Sequence, residues 1–284
     1  MAAMRHNRTR RRGRSRFGFL LKVLCVLTVL VALTVGATVF FRVEQVVVSG
    51  NSRYTQEDVI QAAGIQMGDN LFYMNKNQVA GQVRQQLPYV GELTIRRSLP
   101  STIVITVSEW DAVARIEAPD PAALPDLEEE RAELAESSAG GSALRVAGEP
   151  WLINIGGKLL EPAPEGHDAI SVTGITPLSP SAGTMLNLPG EEQDKHTALL
   201  ALLAALDKKG MLEQVSWVEL GGTRVRLRYL DRFTVKMTLN GDFDYLLRAM
   251  SDAVTDLNSR VGPDCTGSLD LTQKKYQVVY SPDQ

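Results

Sequence analysis

Hydrophobic residues follow three rhythms along this chain. From Val23 to Phe41 they form one apolar run with no charged residue. As a helix at about 1.5 Å per residue it is roughly 28 Å long, close to the hydrocarbon thickness of a bilayer at about 30 Å. The run predicts a transmembrane helix over 23–41. From Val43 to Glu117 short β-branched runs alternate with helical periodicity. Val46-Val47-Val48 reads as a strand closed by the turn cluster Ser49-Gly50-Asn51. Thr55 with Asp58 three residues on marks a helix start, Val59, Ile60 and Ala63 give it a buried side, and Gly64 stops it. A second helix runs from after Asn75 to about Leu87, carried by Val79 and Val83 and ended by Pro88. Strands over Val90–Arg97 and Thr102–Glu109 follow, the second alternating Ile103, Ile105 and Val107 with polar or smaller positions.

Beyond residue 117 the pattern lapses and then returns. Residues 118–141 carry three prolines, a Glu128–Glu130 run and Ser137-Ser-Ala-Gly-Gly141, which reads as an acidic linker or loop. From Trp151 strands dominate: a hairpin turning at Gly156-Gly157, then Ile170–Gly174, then Val215–Leu220, Thr223–Tyr229 and Phe233–Leu239. Helices are expected over Thr197–Lys209 and from Asn240-Gly241 to about Leu257. The alternation predicts an antiparallel sheet backed by helices. The fold class is therefore α+β: a spanning helix, a β-α-α-β-β unit, and a second mixed domain over 142–284.

Charge sets the orientation. Residues 1–42 hold nine Lys or Arg and no acid, leaving 21 basic against 33 acidic residues, a net of −12, in the remainder. Basic flanks stay in the cytoplasm, so the tail 1–22 is cytoplasmic and the acidic remainder extracytoplasmic. The arginines read as a topology determinant that touches anionic lipid, and nucleic-acid binding is excluded. Val35-Gly36-Ala37 resembles a signal cleavage site, but the apolar run exceeds the usual 7 to 15 residues of a signal core and continues past it, which favours a retained anchor. Cys25 and Cys265 fall on opposite sides of this topology and form no disulfide framework.

Reactive chemistry is sparse. His6, His167 and His196 fit no metal-binding spacing, and nucleophile-elbow, Walker and dinucleotide motifs are absent. No enzyme, cofactor, metal or small-molecule substrate is expected. Arg224, Arg226 and Arg228 alternate with Val225, Leu227 and Tyr229, placing three guanidinium groups on the wet face of a half-buried strand. The terminal segments Gly267–Leu271 and Lys274–Tyr280 come last, where a sheet edge is easily reached, and a bare edge can pair with another chain. Lys274 and Lys275 could equally guard that edge against unwanted pairing.

The order strand, helix, helix, strand, strand, with Val46-Val-Val-Ser-Gly-Asn51, Gly68-Asp-Asn-Leu-Phe72, Pro88-Tyr-Val90 and Arg97-Ser-Leu-Pro100, resembles the POTRA domain of the FtsQ/DivIB cell-division family. Glu109–Ala114 resembles the segment by which that family leaves the domain, which is placed at 43–117. Trp151–Leu160 resembles the family's Trp-hydrophobic-Ile-Asp-x-x-Gly hairpin, with Asn154 in the acidic place, and Ile170–Gly174 the short segment after it. Phe72 is expected to supply core volume. The resemblance implies a non-catalytic scaffold of the division machinery in the cell membrane at the septum. It further implies membrane-bound division partners, among them a small bitopic coiled-coil protein that docks by adding a strand to the terminal β segment. Leu269, Leu271, Tyr276, Val278 and Tyr280 are the candidate contacts. The alternatives are a POTRA-bearing transport or assembly component, which would need a following transmembrane β-barrel of many alternating segments where only about 170 residues remain, and an anchored cell-wall enzyme.

Overall fold

The computed structural model describes residues 14–117, 148–164, 166–273 and 278–282. The tail before Arg14, the acidic stretch 118–141, Lys274, Lys275 and Tyr276 lie outside the described residues. Packing contacts divide the chain into two units: the described residues up to Ala80 with Leu93–Val107, and Gly81–Glu92 with the residues from Ser108 onward.

Helix α1, Arg14–Phe40, opens the first unit, and its stretch Gly18–Gly36 is long and apolar enough to cross a membrane, with none of it buried against the protein. It begins nine residues ahead of Val23 because the backbone ladder continues through Arg14–Lys22. Apolarity marks the part suited to lipid and not the limit of helical hydrogen bonding. Strand β1, Gln45–Ser49, pairs in parallel with β3, Thr102–Glu109, which lies between β1 and β2, Val90–Ser98. Ile103, Ile105 and Val107 are buried, as their alternation requires. Gly50 has φ +83°, and a Cβ there would stand 2.2 Å from the Val107 carbonyl oxygen, so the end of β1 can pass β3 only as glycine.

Helix α2, Gln56–Ala63, starts on a complete capping box: Thr55 Oγ1 accepts the Asp58 N–H at 3.1 Å while Asp58 Oδ2 accepts the Thr55 N–H at 2.9 Å. The Thr55 hydroxyl, which also donates to Asp58 Oδ2 at 2.7 Å, and the Thr55 N–H hold the Asp58 carboxyl below the usual carboxylate range. Gly64 ends the helix at φ 63°. Helix α3, Lys76–Gln86, buries Val79 and Val83.

Phe72 departs from expectation. Its ring is 51% exposed, and Leu71 is the fully buried residue. The Leu71 N–H donates to the Phe41 carbonyl at 3.0 Å, and the Asn70 side chain accepts the Phe72 N–H at 2.9 Å. That tight turn aims Leu71 inward and leaves Phe72 outside.

The second unit is built on a nine-stranded sheet ordered β12-β11-β10-β9-β8-β7-β4-β5-β6. In chain order its strands are β4 Ala114–Ile116, β5 Trp151–Ile153, β6 Leu159–Pro162, β7 Ile170–Thr173, β8 Val215–Leu220, β9 Arg224–Tyr229, β10 Phe233–Thr238, β11 Gly267–Asp270 and β12 Val279–Pro282. Helices α4, Gln193–Lys208, and α5, Phe243–Arg260, supply Leu199, Leu202, Leu203, Leu206, Leu247 and Met250 to one continuous core with the apolar side of the sheet.

The sheet is mixed, where alternation alone predicts antiparallel order: β7 runs parallel to both β4 and β8, and β10 to β11. Parallel neighbours need a long crossover. Here the β7 to β8 crossover contains α4 and the β10 to β11 crossover contains α5. Helix α4 starts four residues before Thr197, at a polar first turn. There the buried Glu192 carboxylate accepts the Thr176 N–H at 2.7 Å and the Lys195 ammonium at 2.9 Å. The opposite, outer face of β9 carries the three arginines as expected: Arg226 pairs with Glu219, and Arg228 donates to Thr234 Oγ1 at 3.0 Å.

Candidate partner-docking edge

The last two strands form one end of the nine-stranded sheet. The Gly267 N–H donates to the Arg232 carbonyl at 3.2 Å and the Leu271 N–H to the Lys236 carbonyl at 2.8 Å. Odd-numbered residues of β11 therefore turn their main-chain groups toward β10. Even-numbered Ser268 and Asp270 turn theirs toward β12, where they stand opposite Ser281 and Val279. Hydrogen-bonded and non-bonded pairs alternate along an antiparallel ladder. Ser281 and Val279 thus complete the pairing with β11, while Tyr280 and Pro282 direct their main-chain groups away from the sheet. Val278 continues that outward row. Pro282 contributes a carbonyl but no N–H.

Side chains sort on the other axis. Tyr280 and Val278 pack against the core, and the Tyr280 hydroxyl donates to the Thr266 carbonyl at 2.8 Å. Val279 is 46% exposed on the opposite face. Close approach of β12 depends on Gly267, which has φ +155°: a Cβ there would lie 2.4 Å from the Ser281 carbonyl oxygen and 3.1 Å from Pro282 Cα.

Among the sequence candidates, Leu269 is fully buried, Leu271 nearly so, and their strand has a neighbour on each side. Val278 and Tyr280 belong to the outward row, and Tyr276 lies outside the described residues. Sequence reasoning missed Val279, Ser281 and Pro282, although the Val278–Tyr280 alternation was the available signal. It also missed a groove of about 370 Å³ beside Val278, lined along α5 by Tyr245, Arg248, Asp252 and Asp256, residues three and four apart on one helix face.

Asp270 closes β11 on the outer face. Burial pushes its carboxyl up, but hydrogen bonds from the Thr272 hydroxyl and N–H, together with Lys236 and Arg224, outweigh that and hold it below the usual range. Elsewhere, burial lowers the His196 imidazole. Among the described residues no three His, Cys, Asp or Glu side chains gather as a cation site.

Residues 41–110 match the family model for the POTRA domain of the FtsQ type. Over 102 residues the chain is 34% identical to the cell division protein FtsQ of Corynebacterium glutamicum, a match covering 34% of this chain and 45% of that protein. It is 34% identical over 74 residues to the cell division protein DivIB of Clostridium acetobutylicum, covering 26% and 29%. Over the POTRA segment and its flanks the chain is similar to the FtsQ/DivIB family. A third relative, the cell division protein FtsQ of Streptomyces coelicolor, is 32% identical over 96 residues, covering 31% of this chain and 36% of that relative. The matched stretches thus span less than half the length of each of these relatives. The similarity rests on the POTRA segment and its flanks, and the candidate docking edge of β12 lies beyond the family-model match.

Proposed function

We propose that this protein acts as a member of the FtsQ/DivIB family: a non-catalytic, membrane-anchored scaffold of the division machinery. Its N-terminus lies in the cytoplasm and both extracytoplasmic units recruit other membrane-bound division proteins at the septum, one of them by adding a strand to the Val278–Pro282 edge. The observation that carries this reading is the outward row of main-chain groups on β12, which has no neighbouring strand on that side among the described residues. An added strand satisfies such groups directly, and the α5 groove beside Val278 offers room for the side chains or the helix that accompany it. The apolar α1 supports anchoring, and the relatives named as cell division proteins support the process.

The test is a photocrosslinking amino acid placed in the full chain at Val279, and separately at Arg226 on the outer face of β9, in dividing cells. Crosslinks from position 279 to a membrane-bound division protein, with position 226 silent, are expected. Crosslinks from 226 with 279 silent would move recruitment to the sheet face and refute strand addition.

A further inference from the structure

The chain leaves α1 at Phe40 and at once enters a network that draws two loops of the first unit to the helix end. The Val43 N–H donates to the Asp69 carbonyl at 2.8 Å, the Gly68 N–H to the Val43 carbonyl at 2.8 Å, and the Leu71 N–H to the Phe41 carbonyl at 3.0 Å. The Glu44 and Gln45 N–H groups donate to the Ser101 carbonyl at 2.9 and 3.3 Å. Loops 66–74 and 98–101 are therefore fixed to the five residues that follow the end of α1.

These loops carry apolar side chains that the fold does not use. Tyr73 is 77% exposed, and Met67, Phe72 and Leu99 are each more than half exposed. Phe40, also exposed, meets Phe41 edge to face at 5.2 Å between centroids, Phe41 meets Phe72 at 5.1 Å, and the Arg97 guanidinium lies 5.8 Å from the Phe72 centroid. A continuous run of aromatic contacts thus joins the end of the apolar helix to loop 66–74. Arg97 is held in place by donation to the Met74 carbonyl at 2.8 Å. Charge at this end is mixed, with exposed Arg42 beside exposed Glu44 and Asp69, so apolar contact and not charge dominates.

We propose that this end of the unit rests in the interface of the bilayer that α1 crosses, with Met67, Phe72, Tyr73 and Leu99 seated at the head-group and upper acyl level. The inference rests on α1 being a transmembrane helix. Aromatic side chains favour that depth because the ring is apolar and the rim or hydroxyl stays wet. The occupant is the lipid surface because the patch is continuous with the helix end, where exposed apolar groups meet head groups before any other partner. The contact restrains the tilt of the unit on the membrane, which a single helix followed by the short connection Phe41–Glu44 does not do by itself.

The test uses the full chain with Cys25→Ser and Cys265→Ser, carrying one cysteine labelled with the fluorophore NBD. The label is introduced by Tyr73→Cys, Leu99→Cys, Leu30→Cys or Ser52→Cys in turn. Ser52 follows the far end of β1, whose four residue steps span roughly 13 Å from Gln45 at about 3.3 Å each. In phosphatidylcholine vesicles containing lipids brominated on the upper acyl chain, labels at 73 and 99 are expected to be quenched nearly as strongly as at 30, and the label at 52 not at all. Adding Phe72→Asp should reduce quenching at 99 while leaving 30 unchanged and the circular dichroism intact. If 30 is quenched while 73 and 99 behave like 52, the interfacial contact is overturned and the anchor stands. If 30 is not quenched, the anchor fails and the inference with it. Neither result bears on the β12 edge.

Discussion

Adjacent residues of β12 should respond oppositely to proline. The Tyr280 N–H points outward and the Val279 N–H points to β11. Tyr280→Pro therefore removes a donor that only a docking strand uses, and proline is tolerated on edges in this orientation. An incoming strand loses one hydrogen bond and buries an unpaired carbonyl, a cost of about 1–3 kcal/mol. At about 1.4 kcal/mol per tenfold, binding weakens roughly 5- to 150-fold. Val279→Pro removes a ladder donor instead, so it loosens β12 and lowers stability before any partner arrives. Tyr280→Phe, which keeps the N–H and loses only the bond from the hydroxyl to the Thr266 carbonyl, separates side-chain from main-chain effects.

The assay is fluorescence anisotropy of the crosslinked partner's labelled extracytoplasmic segment titrated with full chain in nanodiscs, beside thermal unfolding of each variant. Tyr280→Pro should unfold somewhat below the wild-type temperature, because the ring packing and the hydroxyl bond go with it, but well above Val279→Pro, and should bind weakly; Tyr280→Phe should bind almost normally. Wild-type affinity for Tyr280→Pro would show that the outward row makes no hydrogen bonds to the partner, and the docking geometry would be wrong.

Three further outcomes follow from the geometry. Gly267→Ala should detach β12, because its Cβ meets the backbone of Ser281 and Pro282; hydrogen exchange at Val279 and Ser281 should accelerate while Val235 in β10 stays protected. Glu192→Ala leaves the buried Thr176 N–H without its acceptor and the Lys195 ammonium with only the Gly174 carbonyl, and should cost about 1–3 kcal/mol in urea unfolding followed by tryptophan fluorescence, with Glu192→Gln clearly milder. Asp58 has a depressed folded pKa, so its contribution is complete above the unfolded value of about 3.9 and is lost as pH falls through the lower folded value. Below pH 4 the stability gap between wild type and Asp58→Asn should therefore close, and thermal unfolding at stepped pH reads it.

Features resting on local chemistry were legible. The Thr55–Asp58 box, the Gly64 stop and the alternation of β3 need only neighbours in sequence, and each forms where its residues predict. The Trp151–Leu160 hairpin was equally local: Asn154 accepts the Gly156 and Lys158 N–H groups at 3.0 and 2.9 Å and builds the turn from its own side chain. Strand direction was not legible, because β7 and β8 become parallel only through a crossover that contains α4. Leu71 and Phe72 fit the apolar pattern equally well, and a hydrogen bond to Phe41, thirty residues away, decides between them. The terminal segment was legible as a β segment late in the sheet, but which of its residues form the edge was not. Apolarity pointed to Leu269 and Leu271, whereas an edge is defined by main-chain groups that composition does not reveal.

The same geometry limits what strand addition can do alone. The outward row offers the N–H and C=O of Val278 and Tyr280 and the C=O of Pro282, five groups at most. At about 1 kcal/mol net each they supply roughly 5 kcal/mol. That is comparable with the lower estimates, about 4 kcal/mol, of the translational and rotational freedom lost on association. A partner held by the edge alone would bind in the millimolar range or weaker. Useful recruitment then requires side chains in the α5 groove, or confinement of both proteins to one membrane, which replaces three-dimensional search by a high local concentration. On that reasoning the apolar helix is part of the binding mechanism and not only a tether: cutting the chain after Phe41 should weaken recruitment in cells even though every residue of β12 is retained.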